Sequence, residues 1–196
     1  MKSYLFFGPP GSGKGTQRDL VESLLTERKS EWVSIETGQL LRDHVKSSDT
    51  MITRRLGDVM SQGGLVPSAF PITMWVNALT KTTASFEHIV IDGAGRKPLE
   101  AQILVELLLF LEGMHVNIFL LDVPDDEVIK RLLKRGREDD REEVIRDRIA
   151  LYNDEIEGTA ASIKYLRDHE HVHFCDIDGV GTVEEVHERV KPFITI

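Results

Sequence analysis

Five short apolar runs punctuate the chain, at residues 4–7, 32–35, 88–91, 116–121 and 172–175, and each reads as a strand. Helical patterning fills most of the intervals, with one helix expected over residues 13–27 and another over 98–112. The longest apolar stretch, 103–111, is interrupted by Glu106 and suits a buried helix. Strand-length runs alternating with helices are the mark of a parallel sheet wrapped by helices, so the fold class expected is α/β with a five-stranded parallel sheet. Two intervals exceed a simple crossover. Between the second and third runs lie roughly fifty residues of helical pattern, broken near 47–49 and at Gly63, Gly64 and Pro67, which predicts a small helical insert. Between the fourth and fifth runs, two helical stretches meet at a charged, apolar-poor hinge over 136–140.

Length and charge narrow the function. A chain of 196 residues fits one α/β domain with small inserts better than two domains. Its 41% hydrophobic and 29% charged content is that of an ordinary globular protein. The net charge of -9 argues against nucleic acid or an anionic membrane as partner, so an anionic ligand must be held by local clusters of cations. Cys175 is the only cysteine, which excludes an internal disulfide and a zinc cluster of paired cysteines. The apolar run at 4–7 is too short for a signal peptide and no stretch approaches a membrane span, so a cytoplasmic protein is expected. His169, His171 and His173 alternate, and read as a polar loop leading into a strand.

The chemistry is concentrated after the first run. Gly8-Pro-Pro-Gly-Ser-Gly-Lys-Gly-Thr16 follows a strand and opens a helix. Gly8, Gly11 and Gly13 allow a tight turn that aims backbone N–H groups at a polyphosphate. The helix N-terminus adds a positive dipole end, and Lys14 a full charge that can follow a transferring phosphoryl group. Thr16 or Ser12 can place a hydroxyl near a magnesium ion. The strict P-loop pattern wants Ser or Thr directly after the lysine, and here Gly15 intervenes.

This loop resembles that of adenylate kinases and their nucleoside monophosphate kinase relatives, and further segments resemble the same family in the same order. Glu36-Thr-Gly-Gln-Leu-Leu-Arg42 is similar to its Ser-Thr-Gly-Asp-Leu-Leu-Arg segment, and Gly64-Leu-Val-Pro67 to the segment that closes its monophosphate-binding insert. Asp92-Gly-Ala-Gly-Arg96 stands where the family has Asp-Gly-Phe-Pro-Arg. Residues 130–136 and 142–148 resemble the arms of its lid, and residues 178–183 its last loop, which packs on the ATP base. The resemblance implies a P-loop NTPase type of fold with a core of 1–35, 68–134 and 141–196, an insert over 36–67 and a short lid over 135–140. It implies transfer of the ATP γ-phosphoryl group to a nucleoside monophosphate, AMP foremost, with Mg2+ bound alongside ATP and no structural zinc. ATP is expected on Gly11, Ser12, Gly13, Lys14, Gly15, Thr16, Arg131, Arg135 and Gly181. The monophosphate is expected on Thr37, Arg42, Gly64, Leu65, Val66, Gly93, Arg96 and Glu100, with Arg137 and Arg148 reaching the phosphates from the lid side. Lys14, Arg96, Arg131, Arg137 and Arg148 are the implied catalytic set, and Asp92 would orient magnesium-bound water. A monomer is expected.

The departures bear on efficiency and acceptor choice. Ala94 and Gly95 replace the family's Phe and Pro, which implies a more flexible loop under Arg96, and Gln39 replaces an Asp. The lid is shorter than the family's short form and lacks zinc ligands. Glu100 stands where adenylate kinases place a Gln that reads the adenine edge. An ionised Glu offers acceptors only, which suits guanine's adjacent donors and weakens discrimination for AMP. Arg141 and Arg146 match no family position and read as solvated charges paired with neighbouring acids. Two other readings stay open: a kinase of GMP or a pyrimidine monophosphate, and a P-loop ATPase or switch with no acceptor. Against the second stand Arg42, Arg96 and the helical insert, which argue for a second anion site.

Overall fold

The central run Tyr4-Leu-Phe-Phe7 has no polar face, because its strand is covered by helices on both sides. In the computed structural model, which describes residues 2–82, 85–112, 116–136 and 140–194, β1 (Lys2–Phe7) sends alternate side chains to two different cores. Leu5 and Phe7 join Ile35, Trp75, Ile91, Leu104 and Leu108 on one side. Tyr4 and Phe6 join Val21, Leu25, Phe119, Ile177 and Val190 on the other. The period of two along one strand therefore builds both layers.

The remaining strands are β2 (Trp32–Glu36), β3 (His88–Asp92), β4 (Val116–Asp122) and β5 (Val172–Asp178). All pair parallel, in the order β2-β3-β1-β4-β5. Helices α1 (Lys14–Glu27) and α9 (Val183–Val190) cover the face of the second core, and α4 (Ala69–Lys81), α5 (Pro98–Glu112) and α8 (Thr159–Arg167) the face of the first. The five-stranded parallel α/β fold expected from the sequence is present. Strands β2 to β5 run one to three residues past the expected ends and stop on Glu36, Asp92, Asp122 and Asp178.

Two smaller units flank the sheet. Helices α2 (Thr37–Ser47) and α3 (Met51–Ser61), with the loop after them, close over a separate cluster of Leu41, Leu56 and Val66. Helices α6 (Asp125–Arg135) and α7 (Glu142–Asn153) pack through Val128, Leu132, Ile145 and Ile149. Among the described residues no helix is long and apolar enough to cross a membrane.

Candidate active site

In an open parallel sheet, ligands collect where strand order reverses, beyond the carboxyl ends of the strands. Here β1 departs between β3 and β4, and a cleft of about 780 Å³ opens there. Its floor is the loop after β1. Gly8 has φ +142, and a Cβ added to it would meet the Leu121 carbonyl at 2.6 Å, so only glycine lets the chain leave β1 against β4. Gly13 then caps α1, and Ser12, Lys14, Gly15 and Thr16 line the cleft.

Lys14 Nζ donates to the carbonyls of Gly8 (2.9 Å) and Pro9 (2.8 Å). Burial lowers its pKa to about 8; the Asp92 carboxylate works against that shift, and Arg96, Arg148 and Arg135 add to it. Charges from three separate elements therefore converge on this ammonium. Gln17, one turn further along α1, donates to the Val183 carbonyl at 3.0 Å and pairs with His187 Nδ1 at 3.1 Å. That tie holds the loop of Gly181, which also lines the cleft, against the phosphate loop.

The walls carry the arginines. Arg131 and Arg135 are four apart on α6, so one face presents both. Arg131 donates to Glu127 Oε1 at 2.9 Å and to the Gly179 carbonyl at 3.2 Å. Arg135 grips Asp140 with two hydrogen bonds, 2.8 and 2.7 Å, and Arg148 Nη1 lies 3.6 Å from the same carboxylate, whose side chain is 0% exposed. A Cβ on Gly63 would meet Arg148 Cγ at 2.6 Å, so the stem of this α7 arginine lies against the loop closing α3. On the opposite wall Arg96 packs over Gly93, where a Cβ would lie 3.2 Å from its Nη2, and Arg42 rests on Gly38. Asp92 ends β3 beside the loop, with Oδ1 buried and without a hydrogen-bond partner among the described residues.

Some expected residues sit outside the cleft lining. Thr37 is buried and its hydroxyl accepts the Trp75 indole N–H at 2.9 Å. The Val66 carbonyl accepts from Lys97 Nζ at 2.9 Å, while Gly63 and Leu65, neighbours of Gly64 and Val66, reach the cleft. Glu100 is 4% exposed, and its Oε2 accepts the backbone N–H of Arg96 at 3.0 Å. Desolvation raises its pKa against the pull of Ser68 and Lys97. The residue expected to read a base is thus engaged in holding the loop of Arg96. Arg137, and with it most of the hinge, lies outside the described residues. Arg146 pairs with Glu142 at 2.8 Å, as a solvated helix pair does. No group of three or more His, Cys, Asp or Glu poised for a metal occurs among the described residues.

Two side chains in the cleft were not singled out from the sequence. Arg18 and Glu36 both line it, with Arg18 Nη1 2.8 Å from Glu36 Oε2 and 4.0 Å from Asp92 Oδ2. The signal was available: Arg18 is four residues after Lys14 and so shares its helix face, and Glu36 opens a recognisable segment where the resembling family has Ser.

Comparison with known proteins bears on the whole chain. Residues 6–169 match the family model described as adenylate kinase. An adenylate kinase of Prochlorococcus marinus (strain MIT 9515) is 35% identical, with 91% of each chain covered. One from Thermus thermophilus is 31% identical over 100% of this chain and 98% of its own. One from Nocardia farcinica is 36% identical over 94% of each.

Proposed function

The chain belongs to the adenylate kinase family of nucleoside monophosphate kinases, and from that premise we propose that it moves the γ-phosphoryl group of ATP onto AMP, giving two ADP. One observation carries this reading: the phosphate loop and a second set of cations face one cleft, and Arg96, Arg148 and Arg135 all bear on Lys14. An ATPase without an acceptor has no use for Arg42 and Arg96 on the far wall.

ATP lies with its phosphates on the loop of residues 11–16, its base against the loop of Gly181. The monophosphate anchors on Arg42 and Arg96 with its base toward the 63–66 segment. Two polyanions must meet in line, so the cations do the work. Arg131, Arg135 and Arg148, with Arg137 from the 135–140 segment, neutralise charge that spreads over the transferring group, and an arginine at that point contributes about 10³ to 10⁵ in rate. Exclusion of water keeps the phosphoryl group for the acceptor. The orphaned Asp92 Oδ1 fits a hydrated Mg2+, with Thr16 supplying a hydroxyl. Bound with ATP, Mg2+ would offset the charge of the phosphates as the γ-phosphoryl group leaves.

A coupled assay with Mg-ATP against AMP, GMP, CMP and UMP tests the reading. AMP is expected to be phosphorylated with the highest kcat/KM. Lys14→Ala, in a loop that lines the cleft and belongs to none of the hydrophobic clusters, should lose most turnover while its melting curve stays close to that of the wild type. Turnover near the wild-type rate in that variant, or transfer to none of the four, overturns the proposal.

A further inference from the structure

Three charged side chains on one wall form a chain that spans from α1 to α2. Arg18 comes from α1, with its side chain only 13% exposed. Glu36 ends β2 and directly precedes α2, and Arg42 lies within α2. One carboxylate oxygen of Glu36 meets Arg18 Nη1 at 2.8 Å, and the other accepts Arg42 Nη2 at 2.9 Å. Gln39 Oε1 accepts from Arg42 Nε and Nη2 at 3.2 and 2.9 Å. Burial opposes ionisation of Glu36, but the charge of Arg18, with the charge and hydrogen bond of Arg42 adding, holds it below the ordinary carboxylate value. Glu36 is therefore an anion at neutral pH.

The guanidinium of Arg42 offers its donors in a planar fork suited to one oxyanion. A carboxylate and a phosphate dianion compete for the same N–H groups, and they repel when both are present. We propose that Glu36 is a built-in competitor for Arg42 and that Arg18, by holding and neutralising Glu36, sets how strongly it competes with the acceptor's phosphate. Arg18 and Glu36 are positioning residues: they tune acceptor affinity through Arg42. This rests on the reading of Arg42 as an acceptor anchor.

The two charges of the pair act with opposite sign. Glu36→Gln keeps the shape and one of the two acceptor oxygens but removes the competing charge. AMP should then bind about two- to fivefold more tightly, the range of a partly exposed ion pair. Arg18→Gln leaves Glu36 fully charged against Arg42 and should weaken AMP binding by a similar factor, and Arg18→Lys should restore much of it. In the Glu36→Gln background, Arg18→Gln should have little effect. The KM for ATP should stay unchanged throughout.

The experiment is calorimetric titration of AMP into the wild type, Glu36→Gln, Glu36→Ser, Arg18→Gln, Arg18→Lys and the Glu36→Gln/Arg18→Gln double variant, with steady-state kinetics and thermal melts alongside. Weaker AMP binding in both Glu36→Gln and Glu36→Ser overturns the proposal and makes Glu36 a structural tie. Equal shifts in the KM values for ATP and AMP overturn it too, since the pair would then act on the whole cleft. A wild type that phosphorylates AMP but whose affinity is untouched by Glu36→Gln sinks this proposal alone. A wild type that neither binds AMP nor phosphorylates any monophosphate sinks it together with the functional reading.

Discussion

At the scale of single residues, the same type of side chain does different work according to what surrounds it. Glu36 is held ionised by two arginines, whereas Glu100 is buried and shifted upward by desolvation. What Glu100 receives in return is the N–H of Arg96, which lies ahead of α5 and has no partner within that helix. Gln can accept that same N–H without burying a charge. Because the folded-state pKa of Glu100 is raised, its contribution is full below the ordinary carboxylate value and is lost as pH rises through the folded value. Glu100→Gln should therefore raise Tm at pH 7 and change it little at pH 4, with AMP kinetics largely kept. Glu100→Ala should lower Tm and raise the KM for AMP by releasing the Arg96 loop. Thermal melts at the two pH values check this, and a Gln variant no more stable at pH 7 than at pH 4, relative to the wild type, would refute the assignment. Lys14 was legible in the sequence because a local motif announces it. Arg18 and Glu36 left only a local trace, a shared helix face and a departure from the family's Ser; what they meet, like the engagement of Glu100, depends on which distant element a side chain reaches after folding.

At the scale of elements, strands were easy to see and their ends were not. Apolar runs give the cores, yet β2, β3, β4 and β5 all continue onto an acidic residue of low strand propensity. Pairing carries on there, with Glu36 opposite Asp92 and Asp122 opposite Asp178. Glu36 and Asp92 line the cleft and Gly179, which also lines it, directly follows Asp178, so the pattern fades where function starts. The loop after β3 makes the same point. The sequence suggests a flexible link where Gly95 replaces a proline. The structure gives Gly95 φ +67, a path closed to a ring that fixes φ near −65°. Gly95→Pro, nominally a return to the family pattern, should cost about 1–3 kcal/mol. Each kcal/mol lowers Tm by about 2–4 °C in a chain of this size. Gly95→Ala should cost less, although its Cβ would lie 3.1 Å from the Phe7 ring. Both should raise the KM for AMP more than that for ATP. Melts and kinetics of the two variants give the ranking, and a stabilised Gly95→Pro would show that the left-handed turn is not required.

At the scale of the whole molecule, the sign of the charge differs between the surface and the site. The chain carries -9 overall, but among the described residues the cleft presents Lys14, Arg18, Arg42, Arg96, Arg131, Arg135 and Arg148 against Asp19, Glu36, Asp92 and Glu127. A polyanionic nucleotide approaching from afar meets repulsion, and within the cleft meets attraction. Salt separates the two contributions. Raising ionic strength from about 0.01 M to about 0.15 M contracts the Debye length from about 30 Å to about 8 Å. If the global charge dominated encounter, screening would remove repulsion and kcat/KM for ATP would rise. Clefts with low-dielectric walls focus the field of the charges lining them, so the local cations should prevail, and kcat/KM for ATP should fall by about three- to tenfold over that range. Arg131→Gln, which removes one cleft cation, should flatten the slope, while Arg54→Gln, on a surface pair with Asp49 outside the cleft, should leave it unchanged. A rate that climbs with salt, or a slope that both variants alter alike, would mean that the cleft does not shield its ligand from the field of the whole protein.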